Sequence, residues 1–157
     1  MQKKKSLDAL EQTLRQASAT REGFLGPDER NLPAILRADD AAVRRRGLTH
    51  AHIAQHLIAL RQAGWEGLGE PVSVPPHFEA YVDAARGKLS CPFGDSGSFA
   101  KVNTTVRNLK HGTEITFTDL NIHLIAVHGF YEGQGAPFRL EPEQLIDVLE
   151  LEPGNRI

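Results

Sequence analysis

An α+β fold is predicted, with a helical N-terminal half, then a small antiparallel sheet carrying two C-terminal helices. Three observations predict it. Apolar residues recur at helical spacing up to Gly64, they alternate with polar residues from Phe99 to Thr118, and a Gly/Pro-rich stretch divides the two regimes. The chain has 157 residues, 40 % apolar and 24 % charged, enough to build a core without disulfides or metal.

In chain order, Ser6 can cap a helix in which Leu7, Leu10, Leu14 and Ala17 share a face. Gly23 and Gly26-Pro27 break the chain. Pro33 suits the first turn of a short helix through Ile35 and Leu36, where its missing N–H costs nothing. Asp39 or Asp40 is expected to cap a separate piece, Ala41 to Arg46, which Gly47 ends. Thr49 is a good N-cap for the next helix, with Ile53, Leu57 and Leu60 as its buried stripe and Gly64 as its C′ residue.

That helix opens Gly-Leu-Thr-His-Ala-His-Ile-Ala-Gln-His-Leu, which resembles the first helix of a helix-turn-helix. The periodicity runs on to Ala63, however, and Pro71 with Pro75-Pro76 forbids a recognition helix soon after. A net charge of −2 also argues against nucleic acid, whose phosphates require a basic surface.

Residues 65–76 read as a Pro/Gly connection between a helical region, 1–64, and an α+β region, 77–157, together forming one composite globule. His77 to Asp83 leans towards a strand. Val102, Thr104 and Val106 alternate with Asn103, Thr105 and Arg107, and Ile115 with Phe117 repeats the pattern, so a hairpin is predicted over 99–118 with Gly112 in its turn. Thr118 caps a helix from Asp119 in which Leu120, Leu124 and Val127 line one face and Ile122 and Ile125 extend the apolar surface. Gly129 stops it. Glu141-Pro142 opens a last amphipathic helix with Leu145, Ile146, Val148 and Leu149.

The chemistry gathers between Cys91 and Arg139, which hold the only cysteine and three of the seven histidines. Cys91, His123 and His128 are the candidate metal ligands, because a thiolate and imidazoles are what zinc prefers. Asp95, His111 or Asp119 is expected to supply a fourth. The order of cysteine, hairpin, helix and two histidines is similar to part of a zinc finger, with a single cysteine in place of a close pair. On a regular helix, residues five apart sit about 140° apart, so the histidines are expected to converge only if the last turn tightens or loosens.

Two other roles compete for these residues. Cys91 can be a small buried apolar residue, with the histidines satisfied locally. It can also be a nucleophile activated by His123 or His128, making the protein a metal-assisted or thiol-dependent hydrolase, although Pro92 offers no N–H for an oxyanion hole. His52 and His56 share a helical face at i,i+4, a weaker metal pair without the metalloprotease glutamate.

The loop Gly129 to Gly135 follows a helix C-terminus, where the field repels anions, and is no phosphate cradle. Its aromatics Phe130 and Tyr131, with Phe138 and Arg139 beyond it, fix it over the core or anchor a ligand or partner. One cysteine cannot form an internal disulfide, which suits a reducing compartment, and Lys3-Lys4-Lys5 leads into no apolar signal region. The expectation is a small soluble cytoplasmic binding or regulatory module with a zinc site, a protein partner and no contact with membranes.

Overall fold

The computed structural model describes residues 7–16 and 23–153. Among them run helices α1 (Leu7–Gln16), α2 (Leu32–Arg45) and α3 (His50–Trp65), strands β1 (Val72–Val74), β2 (Phe78–Leu89), β3 (Phe99–Asn108) and β4 (Thr113–Thr118), then helices α4 (Asp119–His128) and α5 (Pro142–Leu149). The strands form one antiparallel sheet in the order β1-β2-β3-β4. This is the α+β architecture expected, with helices first and α4 and α5 after the sheet.

The hairpin β3–β4 pairs Asn103 with Thr118 through Asn108 with Thr113, and Gly112 takes the left-handed conformation in its turn. Val102, Val106, Ile115 and Phe117 are buried, as their period of two requires. Of the segment expected as a strand from His77, that residue lies in a turn and the long strand β2 starts at Phe78, running on through Ala84 and Ala85 to Leu89. The stretch 65–76 is more than a connection, because Val72–Val74 adds an edge strand against Phe78–Ala80.

Three local expectations are corrected. A single helix spans Leu32–Arg45, capped by Asn31, whose side chain accepts the Ala34 N–H. No break occurs at Asp39 or Asp40, since Asp39 is buried in an ion pair rather than spent on a cap. Gly64 lies inside α3, not beyond it, and a Cβ there would stand 3.0 Å from Val82 Cγ2, so the glycine admits close packing of α3 on β2. Val127 is 59 % exposed and leaves the apolar face of α4 to Leu120, Ile122, Leu124 and Ile125. Ser6 and Ala17 lie outside the described residues.

Two apolar clusters organise the interior. The larger joins Ile53 and Leu57 of α3, Ala80, Val106 and Phe117 of the sheet, and Leu145 and Ile146 of α5. The smaller joins Leu14, Leu32 and Ile35 to Leu120 and Leu124 of α4, with Cys91 and Phe130. Fully burying an aliphatic or aromatic side chain of this kind contributes about 1.5–3 kcal/mol, so burial dominates the stability of both clusters.

The strand pair β2–β3 positions the candidate site. Its register shifts between Ala84 and Lys88, a bulge containing Gly87 at φ 105°. Bulges bend and twist the strand that carries them. Beyond this one, Leu89, Phe93 and Phe99 pack on the smaller cluster, so the tip of the ribbon lies against α4.

Candidate metal centre

Each ligating group is placed by local chemistry. Cys91-Pro92-Phe93-Gly94 is a turn closed by the Gly94 N–H on the Cys91 carbonyl at 3.0 Å, with proline in the second position, where its fixed φ fits. Gly94 has φ 96° and carries the chain on to Asp95. On the other side, α4 is held by a reciprocal capping box: Thr118 Oγ1 accepts the Asn121 N–H and Asn121 Oδ1 accepts the Thr118 N–H. At the far end Gly129, at φ 60°, donates to the Ile125 carbonyl while Phe130 donates to that of Leu124. A Cβ at Gly129 would meet the His50 ring at 2.9 Å.

The turn and the helix bring four groups together. Cys91 Sγ, one oxygen of Asp95 and one nitrogen each of His123 and His128 lie within 4.8 Å of one another. Asp95 Oδ2 stands 2.8 Å from His123 Nε2 and 2.6 Å from His128 Nε2. The sulfur lies 3.5 Å from Asp95 Oδ2 and 3.6 Å from His128 Nε2.

The helix remains α-helical through His128, so its last turn does not bring the rings together. The two residues are separated by a rise of about 7.5 Å, and their imidazoles reach towards a carboxylate supplied from the opposing loop. Aromatic packing fixes both rings. His128 stacks on Phe93 with centroids 3.9 Å apart and planes at 11°, and His123 lies 4.5 Å from Phe99.

Exposure is graded across the cluster. Cys91 is 4 % exposed, the two histidine side chains 17 % and Asp95 37 %, so the sulfur is the deep end and the carboxylate the solvent edge. Burial pushes the Cys91 thiol up despite hydrogen bonds from the Phe93 and Asp95 backbone, and the Asp95 charge pushes it further the same way. Hydrogen bonds from His128, then His123, hold the Asp95 carboxyl below its ordinary range. A cation held at this point would favour the thiolate that burial and the carboxylate disfavour.

Neighbouring donors in a tetrahedral zinc shell stand roughly 3.3–3.6 Å apart, given ligand bonds of about 2.0–2.3 Å. Both sulfur distances already meet this spacing. The Asp95 oxygen would have to withdraw by about 0.5 Å from His123 and about 0.7 Å from His128. Such a shift suits the most exposed member of the cluster.

The other candidates fall elsewhere. His111 is exposed and 3.8 Å from Glu150, and Asp119 forms a two-pronged ion pair with Arg61 at 2.7 and 3.0 Å, so neither joins the cluster. His52 and His56 have ring centroids 5.8 Å apart on α3 and form no cluster with a third ligating group among the described residues.

Phe130 and Tyr131 are fully buried and are part of the interior. The Arg139 side chain is 6 % exposed, donates to both Asp39 oxygens at 2.9 Å and reaches the Glu132 carbonyl. It ties the C-terminal segment to α2.

Sequence reasoning missed Glu132. It is 3 % exposed, has φ 70°, and accepts from Asn121 Nδ2 at 3.0 Å on Oε2, while Oε1 is buried without a partner among the described residues. Burial pushes its carboxyl up to about 8, against the opposing pull of Asn121 and Arg139. A lone glutamate amid glycines gives no periodic signal that would reveal this burial.

Fold and site together define a small α+β protein with a Cys/Asp/His/His group that could hold a metal ion. Comparison with protein-family models, curated proteins and solved structures finds no match for this chain. No helix among the described residues is long and apolar enough to cross a membrane.

Proposed function

We propose that this protein is a zinc-binding module in which one ion, held by Cys91, Asp95, His123 and His128, latches the 90–98 loop onto α4. The observation that carries this reading is the convergence of four ligating atoms within 4.8 Å, from two segments about thirty residues apart. The soft sulfur with two imidazoles and a carboxylate suits zinc better than magnesium or calcium, which take oxygen ligands. Four protein donors make a closed site, the form that structural zinc takes, whereas catalytic zinc keeps a position for water.

A thiol-dependent hydrolase is the weaker reading. Its nucleophile needs a lowered pKa, and burial and Asp95 act on Cys91 in the opposite direction. The lone thiol suits a reducing, cytoplasmic setting, where it stays available as a ligand. A binding or regulatory role with a protein partner completes the proposal, supported by the exposed apolar side chains Trp65 and Leu68 beside the sheet.

Equilibrium dialysis against zinc tests the reading. The wild-type chain is expected to retain one ion, and a Cys91→Ala/His123→Ala variant, shown folded by circular dichroism, none. Retention of that ion by the folded double variant would place the metal elsewhere.

A further inference from the structure

On the face formed by α3, the Val74–Phe78 segment and the end of α5, a cleft of about 490 Å³ opens to solvent. Its size lies within the range of small-molecule sites. Leu60, Val74, Phe78, Leu149 and Leu151 give it an apolar floor, and Glu150 and Glu152 contribute carboxylates. His56 also lines it, and neither lysine nor arginine does.

The negative charge here is constructed. Glu150 follows the last turn of α5 at φ 55° and ψ 45°, the left-handed position that glycine ordinarily fills. Buried Asn108 fixes it, donating from Nδ2 to the Val148 carbonyl at 2.9 Å and to Glu150 Oε2 at 2.8 Å. His77 Nε2 contacts the same oxygen at 2.5 Å and His111 Nε2 lies 3.8 Å from it; the hydrogen bonds of His77 and Asn108, with the two rings beside it, keep the carboxyl below its ordinary range. Among the described residues, Oε1 accepts no hydrogen bond. The last turn of α5 carries no basic residue, so the negative end of the helix dipole adds to the carboxylate.

We infer that this cleft binds a small organic cation, an ammonium group joined to an apolar body, with the body on the Leu60–Phe78–Leu151 floor and the charge at Glu150. Charge complementarity selects the occupant: an anion would meet two carboxylates and a helix C-terminus, and a neutral apolar molecule would leave the acidic rim unused. The assignment is independent of the metal centre, which lies on other residues.

The test is a nuclear magnetic resonance titration of the full chain with 3-phenylpropylammonium, using 3-phenylpropanol and 3-phenylpropanoate as neutral and anionic isosteres. The ammonium is expected to give saturable shifts at Ala59, Leu60, Val74, Phe78 and Leu151, with Glu150→Gln weakening it about fivefold. The exposed Glu152→Gln variant, expected to weaken binding about twofold, supplies the same comparison should Glu150→Gln fail to fold. Equal binding of alcohol and ammonium, or no saturable shift at those residues, overturns the assignment.

Discussion

Zinc at about a thousandfold excess over its dissociation constant is expected to stabilise the chain by about 4 kcal/mol, because the ion binds the assembled site and not the unfolded chain. For a protein of this length that is roughly 8–16 °C in melting temperature. The gain comes from joining the 90–98 loop to α4, two segments otherwise held by the packing of Phe93, Phe99 and Leu89 on the smaller cluster. Magnesium at the same concentration is expected to leave the melt unchanged, since it has no use for sulfur and imidazole. In Cys91→Ala the zinc shift is expected to fall as affinity drops a hundredfold or more, beyond the 10–100-fold typical of losing an outer-shell partner. Equal zinc shifts in wild type and Cys91→Ala would remove the cysteine from the site.

Replacing Glu132 with glutamine is expected to change the pH dependence of stability. The carboxyl sits near 8 in the folded chain and near its ordinary 4.5 when unfolded. Between those values the folded state keeps a proton that the unfolded chain has released, so stability falls as pH rises. The loss begins near pH 4.5 and is complete above about pH 8, amounting to about 4–5 kcal/mol across the window. Glutamine is neutral throughout and its carbonyl can still accept from Asn121. Glu132→Gln is therefore expected to be more stable than wild type by about 2 kcal/mol or more at pH 8, with the advantage shrinking towards pH 5. Denaturant melts at several pH values read the difference directly. Parallel curves for the two proteins would show that Glu132 does not titrate in this window.

What the sequence made legible was local and periodic. The alternation from Val102 to Phe117, the Thr49 and Thr118 caps and the Gly129 stop each follow from a residue acting on its near neighbours, and each is present. The break expected at Asp39 failed because a capping residue type was read without its distant partner. Arg139, one hundred residues on, takes that carboxylate into the interior. Gly64 differs from expectation for a similar reason: it admits Val82 from the sheet and does not end its own helix.

The candidate site divides along the same line. Cys91, His123 and His128 stand out by chemical type, and Asp95 was one of three acceptable fourth ligands. Only the bulge near Gly87 and the turn at Pro92 decide between them, by delivering the loop to α4 while Arg61 occupies Asp119 and the Glu150 corner holds His111. Glu132, the Glu150 cleft and the burial of Tyr131 are tertiary facts with no local signature.

Zinc K-edge absorption spectroscopy of the zinc-loaded chain addresses the metal centre most directly. The expected first shell is one sulfur at about 2.3 Å and three nitrogen or oxygen ligands at about 2.0–2.1 Å, with the sulfur lost in Cys91→Ala. A wild-type shell of nitrogen and oxygen alone would contradict the account.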